Sequence, residues 1–174
     1  MKAEIAKVKI HYGDKTVTVH KLTVFSQIPI HIDVAWKKVQ TAALLEFVAK
    51  GKIRFKPADG QFPEIWKQGR AVKTMMYLYG VIPFGGMHTL IIEKIDDENK
   101  IIQSREWDGC AKVWNHRISM KKLDDSSIHY EDEIIIYGGW MTGIISFWAM
   151  SFYKHRQRRW QRVAQGYDRR ENQF

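Results

Sequence analysis

The segment VWNHRISM, residues 113–120, alternates so that Trp114, His116, Ile118 and Met120 share one face of a strand. In IHYEDEIII, residues 128–136, the same period puts Ile128, Tyr130, Asp132 and Ile134 on one face. Paired as a hairpin centred on Asp124, the two strands bring both apolar sets to one side and set His116 opposite Asp132. A slip of one residue would turn one of the sets to water. An imidazole facing a carboxylate among apolar side chains is either a satisfied structural pair or part of an acid–base site. In the second case the carboxylate orients the ring and favours its charged form.

A third candidate lies in FYKHRQRRWQRV, residues 152–163, where Lys154, Arg156, Arg158, Arg159 and Arg162 are packed among aromatic residues. On a 3.6-residue period Ile145, Ala149, Phe152, Arg156, Trp160, Val163 and Tyr167 form one stripe, flanked by Trp148. Lys154, Arg158, Gln161 and Gln165 fall on the opposite side, so Lys154 and Arg158 read as solvated charges. Arg156 sits in the middle of the apolar stripe, where an unpaired cation is costly, and a carboxylate or several acceptors are expected to face it. His116, Asp132 and Arg156 are therefore the candidate catalytic group. His116 would act as base, Asp132 would orient it, and Arg156 would hold an enolate or another anionic oxygen.

The elements that must position these residues follow from pattern. KVKIHYGDKTVTVHKLTVF alternates about YGDK as a hairpin does, and two short helical patterns follow: DVAWKKVQT, opening on a capping Asp33, and AALLEFVAKG, closing on Gly51. Strand patterns at residues 70–82, 87–95, 101–107, 113–120 and 128–137 are separated by PFGG, DDEN, WDG and LDDSS, which implies an antiparallel meander. One long helix is expected from about Met141 to Gln165. This order is α+β, and the sheet must curl around the last helix to bury its face, an arrangement that encloses space.

Composition narrows the function classes. A chain of 174 residues with 45% hydrophobic residues suits one domain, with a core over about residues 16–165 and a disordered tail at 166–174. The net charge of +9 favours phosphates, anionic lipids or acidic substrates, and residues 154–170 carry seven Lys and Arg against Asp168 alone. The lone Cys110 permits no internal disulfide and joins no zinc-spaced cluster, so neither a metal nor another cofactor is expected. MKAEIAKVKIHYGDK lacks the apolar core of a secretion signal, and a cytoplasmic location is expected. IIIYGGWMTGIISFWAMSFY, residues 134–153, has the length of a membrane span, but Gly138 and Gly139 split it and its start has strand character. Nucleic-acid binding through the basic helix is disfavoured, because the helical period turns Phe152, Arg156 and Trp160 inward. Peripheral contact with an anionic membrane stays open.

The spacing of Gly109, Trp114, His116 and Asp132, followed by FYKHRQRRW, resembles the SRPBCC ligand-binding proteins. That superfamily holds the START domains and the birch-pollen allergen, and the likeness is to its polyketide cyclase/dehydrase-like branch. IPIHIDVAWKKV, with Trp36, is similar to that family's passage from first strand to first helix, so the resemblance spans about residues 22–163. GCAKVW stands where relatives carry Gly-Pro-aromatic, and YGGWMTG lacks the proline expected in that loop. The resemblance implies a helix-grip fold: a curved antiparallel sheet around the C-terminal helix, two short helices after the first strand, and a hydrophobic pocket between them. Its ligand would be a small hydrophobic or amphipathic molecule, lipid- or polyketide-like. Trp66, Met75, Tyr77, Trp107, Trp114, His116, Tyr130, Trp148, Phe152 and Arg156 are the expected ligand contacts, each weighed against simple core packing. The alternative is a polyketide cyclase or dehydratase using the His116–Asp132 pair.

Overall fold

The computed structural model describes residues 1–171, with side chains described through Gly166. Strands β1 (Lys2–Tyr12) and β2 (Lys15–Ile28) form a hairpin whose Gly13 takes φ 59°, a left-handed turn conformation open to glycine. Helices α1 (Ile32–Val39) and α2 (Ala42–Ala49) follow. Asp33 does not cap α1; His31 does, its Nδ1 accepting from the Asp33 amide at 3.3 Å, while Thr41 Oγ1 caps α2 by accepting from Leu44 N at 3.2 Å. Then come β3 (Ile53–Pro57), β4 (Ala71–Leu78), β5 (Ile82–Asp96), β6 (Ile101–Trp107), β7 (Val113–Lys122) and β8 (Ile128–Tyr137), a 3-10 turn at Gly139–Met141, and α3 (Thr142–Glu171). The short β3 is the one strand that sequence pattern did not single out. Helix α3 runs through Glu171, and of the expected tail at 166–174, residues 172–174 lie outside the described residues.

The eight strands form one antiparallel sheet in the order β1-β2-β8-β7-β6-β5-β4-β3. Two irregularities bend it: between Met75 and Met76 in the β4–β5 pair, where Gly85 and Gly86 both take φ 70°, and between Ile92 and Lys94 in the β5–β6 pair. The curved sheet grips α3, whose Ile145, Ala149, Phe152, Trp160 and Ala164 are buried against it. This is the helix-grip architecture. Among the described residues no helix is long and apolar enough to cross a membrane, and residues 134–153 divide between β8, the 3-10 turn and α3.

The β7–β8 register differs from expectation by two residues: Ile118 pairs with Asp132, and His116 with Ile134. The loop causes the shift. Asp124 is consumed as a turn residue, accepting from Ser126 N at 2.8 Å and Ser127 Oγ at 2.6 Å, so the hairpin centres one position further along the chain. An even shift preserves both faces, and the expected inward sets stay inward.

The buried apolar side chains divide into two clusters. One holds Trp36, Trp66, Ile102, Ile118, Met120, Tyr130 and Trp160; the other holds Leu22, Met76, Trp114, Ile134, Ile145, Phe152 and Tyr153. The second cluster closes at Gly138, where a Cβ would lie 2.6 Å from Ile145 Cδ1 and 2.7 Å from the carbonyl oxygen of Cys110. The backbone oxygen cannot move aside, so Gly138→Ala is expected to destabilise by roughly 1–3 kcal/mol through overpacking, measured by urea denaturation. Wild-type stability in the variant would mean that the α3 entry does not depend on this approach.

Candidate functional site

Between the two apolar clusters a row of polar side chains crosses the concave face of the sheet. Inward alternation supplies Thr74 from β4, His88 from β5, Ser104 and Glu106 from β6, His116 from β7 and Asp132 from β8. Strand pairing sets Thr74 beside His88 and Ser104 beside His116, so the row is continuous. Tyr153, Arg156 and Gln157 of α3 meet it from above, and all three are buried.

At the β8 end, Asp132 is 0% exposed. His116 donates from Nε2 to Asp132 Oδ1 at 2.8 Å, Gln157 Nε2 donates to Oδ2 at 3.0 Å, and Tyr130 Oη reaches Oδ1 at 3.4 Å. The pair expected from alternation therefore forms, although His116 and Asp132 are diagonal neighbours rather than direct partners. Burial pushes the Asp132 carboxyl up, but the positive charge of Arg156, then the bond to His116, hold it below the usual range. With Nε2 engaged by Asp132, Nδ1 is the ring nitrogen left without a hydrogen bond among the described residues.

At the β5–β6 end lies a group that sequence reading did not single out. His88 Nε2 is 3.0 Å from Glu106 Oε2 and its Nδ1 is 3.1 Å from Asp108 Oδ2. Ionised carboxylates only accept, so both ring nitrogens carry protons and His88 is an imidazolium. Burial lowers its pKa, yet the bonds to Asp108 and Glu106 outweigh that and push it up to about 9. Burial likewise raises Glu106, and the bond and charge of His88 bring it below its ordinary value. Ser104 Oγ donates to Glu106 Oε1 at 2.5 Å, and Asp108 Oδ1 accepts from Cys110 N at 2.8 Å and Ala111 N at 2.7 Å. The bulge makes room for Asp108: a Cβ on Gly85 would sit 2.6 Å from its carboxylate carbon. MHTLIIEKI carried the signal, since His88 shares its period with Leu90 and Ile92. For Glu106 the signal was weaker, because a charged residue beside WDG reads as a strand end.

Arg156 is 9% exposed, as its place in the apolar stripe predicts. The expected pairing differs. Asp132 is the carboxylate whose charge acts most strongly on it, but the side chain bonded to Asp132 from α3 is Gln157. The guanidinium lies over the rings of Tyr153 at 5.0 Å and Phe152 at 5.8 Å, and among the described residues it makes no hydrogen bond or ion pair.

These groups border a cavity of about 100 Å³. Of the expected contacts, Trp66, Trp114, His116, Trp148, Phe152 and Arg156 form its wall, joined by His88, Glu106 and Asp108. Asp132 and Tyr130 stand behind the wall, Tyr130 packed edge-on against Trp160. Met75 and Tyr77 face away, because β4 turns Val72, Thr74 and Met76 inward, and Trp107, 38% exposed, follows the inward Glu106 on β6. Among the described residues no group of three or more His, Cys, Asp or Glu side chains is placed to hold a metal ion.

No protein-family model matches the chain, and no curated protein matches it in sequence. Solved structures do match. The chain is similar to major latex-like protein 151 of Panax ginseng, with a TM-score of 0.60 at 14% identity over 84% of this chain and 97% of that one. A START superfamily protein of Mycobacterium smegmatis aligns with a TM-score of 0.58 at 9% identity over the same shares. Norcoclaurine synthase of Thalictrum flavum, solved with dopamine and hydroxybenzaldehyde, aligns with a TM-score of 0.60 at 10% identity over 92% of this chain and 88% of that one.

Because the folded-state pKa of His88 is raised from 6.5 to about 9, its clamp adds stability that is fully present below pH 6.5 and lost as pH rises through about 9. The stability advantage of wild type over His88→Gln, followed by urea denaturation, should shrink across that window by at most about 3 kcal/mol. A pH-independent difference would mean that His88 is not held as an imidazolium.

Proposed function

From the helix-grip fold that the chain shares with START and major latex-like proteins, we propose that it binds a small amphipathic molecule between the sheet and α3. The ligand has apolar groups on either side of an oxygen-bearing centre. The observation that carries this reading is Arg156, a buried cation without a bonded partner among the described residues, at the wall of a cavity otherwise rich in aromatic and aliphatic side chains. A buried guanidinium left in this state is costly, and a ligand carbonyl, carboxylate or phosphate oxygen would supply the missing acceptor. The wall draws on both apolar clusters, Trp66 and Ile102 on one side and Trp114 and Phe152 on the other, so apolar parts of the ligand have somewhere to go in both directions. A space of about 100 Å³ suits a compact ring system, whereas a long acyl chain would require the lining to move.

A second reading is supported by the His116–Asp132 pair: a cyclase or dehydratase acting on a polyketide-like substrate. There His116 Nδ1 would take a proton beside a carbonyl, Asp132 would hold the ring, and Arg156 would receive the enolate oxygen. His88 is unsuited to that task, since both its nitrogens are occupied and it keeps its proton to about pH 9.

The test uses naphthalene-1-sulfonate, a fused apolar ring with an anionic group. Wild type should bind it in the cavity, and Arg156→Met should weaken binding by about tenfold or more, the worth of a charge-assisted hydrogen bond. Arg156→Lys should recover part of the loss. Equal affinity in all three proteins, or no uptake by wild type, would sink the assignment. For the enzymatic reading, His116→Ala is expected to bind substrate but to lose turnover, and unchanged turnover would remove His116 as the base.

A further inference from the structure

The outer face of α3 changes character along its length. Trp140, Ile144 and Phe147 are 87%, 64% and 73% exposed, and at the spacing of helical neighbours they form one apolar stripe with Trp140 in the preceding 3-10 turn. The same stripe continues through exposed Ser151 to Lys154 and Arg158, and no Asp or Glu occurs between Gly138 and Tyr167. A second apolar group lies at the β4–β5 tip, where Val81 is 74% exposed beside exposed Tyr79 and Ile82. Two contacts join the groups. Phe84 of β5 stacks on Trp148 of α3 with ring centroids 6.2 Å apart, and Lys52 spans from Ser151 Oγ, 3.5 Å from its Nζ, to the ring of Tyr79, 5.3 Å from its Nζ. Phe84 and Trp148 also line the cavity, so both apolar groups adjoin its wall.

We propose that this face, Trp140, Ile144 and Phe147 with the β4–β5 tip, docks on an anionic lipid bilayer. Exposed large apolar side chains gathered from two elements mark an interaction surface, and here the occupant must accept hydrocarbon at one end and, at the other, cations that form no ion pair among the described residues. A bilayer surface offers both in layers. Arg158 lies about 16 Å along the helix axis from Phe147, at 1.5 Å per residue. A tilted α3 can therefore bury its apolar end about 5–10 Å into the acyl boundary while Lys52, Lys154 and Arg158 stay among phosphates. Trp140, with an apolar body and a polar N–H, suits the boundary itself. Docked this way, the Phe84–Trp148 contact faces the membrane, and the cavity opens toward a source of apolar ligand. That last consequence rests on the proposed binding function; the docking does not.

The experiment is co-sedimentation of the full chain with vesicles of phosphatidylcholine alone and of equimolar phosphatidylcholine and phosphatidylserine. Partitioning onto the anionic vesicles is expected, reduced by high salt and by about fivefold for each cation removed in Lys154→Ala and Arg158→Ala. Trp140→Ala with Phe147→Ala should reduce it at least as much. Binding of naphthalene-1-sulfonate in solution should stay at the wild-type level in all these variants, which separates docking from the cavity. Failure to partition onto anionic vesicles overturns the proposal, as does partitioning that the apolar substitutions leave unchanged. A dimer or a protein complex abolished by the same substitutions, without vesicle binding, reassigns the face to a protein partner.

Discussion

Asp132 is sealed from water, and a carboxylate there can stay ionised only if other groups replace the solvent it has lost. His116 and Gln157 do so by hydrogen bonds, and Arg156 does so by charge from further away. Three elements are tied by this one group: β7 through His116, β8 through Asp132 itself, and α3 through Gln157, whose side chain also donates to Val24 O of β2 at 2.7 Å. The angular setting of α3 over the sheet follows from it. Rotating the helix by one residue would bring Arg156 or Arg158 to Gln157's place and break the bond to β2.

This anchorage explains why the core is divided. A purely apolar interior would pack α3 against the sheet without leaving space. Here the polar row from Thr74 to Asp132 interrupts the apolar packing and prevents the two clusters from merging. Charged side chains in such a row need partners rather than close contact with rings, and the residual space collects where their partners are incomplete, at Arg156. The cavity and the charges are thus one feature of the structure. His88 adds a second charge at the opposite end, and there the clamp of Glu106 and Asp108 supplies a partner to both ring nitrogens, while the Arg156 end remains open to an added acceptor.

Much of the site could be read in the sequence because local period decides which way a side chain points. Alternation put His116 and Asp132 on the inner face of their strands, and the 3.6-residue repeat put Phe152, Arg156 and Trp160 on the inner face of α3. A two-residue error in the β7–β8 register left those faces unaltered, since two is the period of a strand. The same rule, applied to β4 and β6, would have removed Met75, Tyr77 and Trp107 from the expected contacts in favour of Met76 and Glu106. Those three were chosen for size and softness, properties that say nothing about direction.

What the sequence could not decide was which inward residues meet. His88, Glu106 and Asp108 come from two strands and the loop after the second, and they converge only because the bulge at Gly85 and Gly86 opens room for the Asp108 carboxylate. Gln157 rather than Arg156 bonds to Asp132 because the helix sits at one angle among several that its apolar stripe allows. The fold class, the inward faces and the burial of Arg156 follow from periodicity along the chain. The partners of each buried charge, and the space left beside Arg156, were decided by tertiary packing, because they depend on distances between elements that no local repeat encodes.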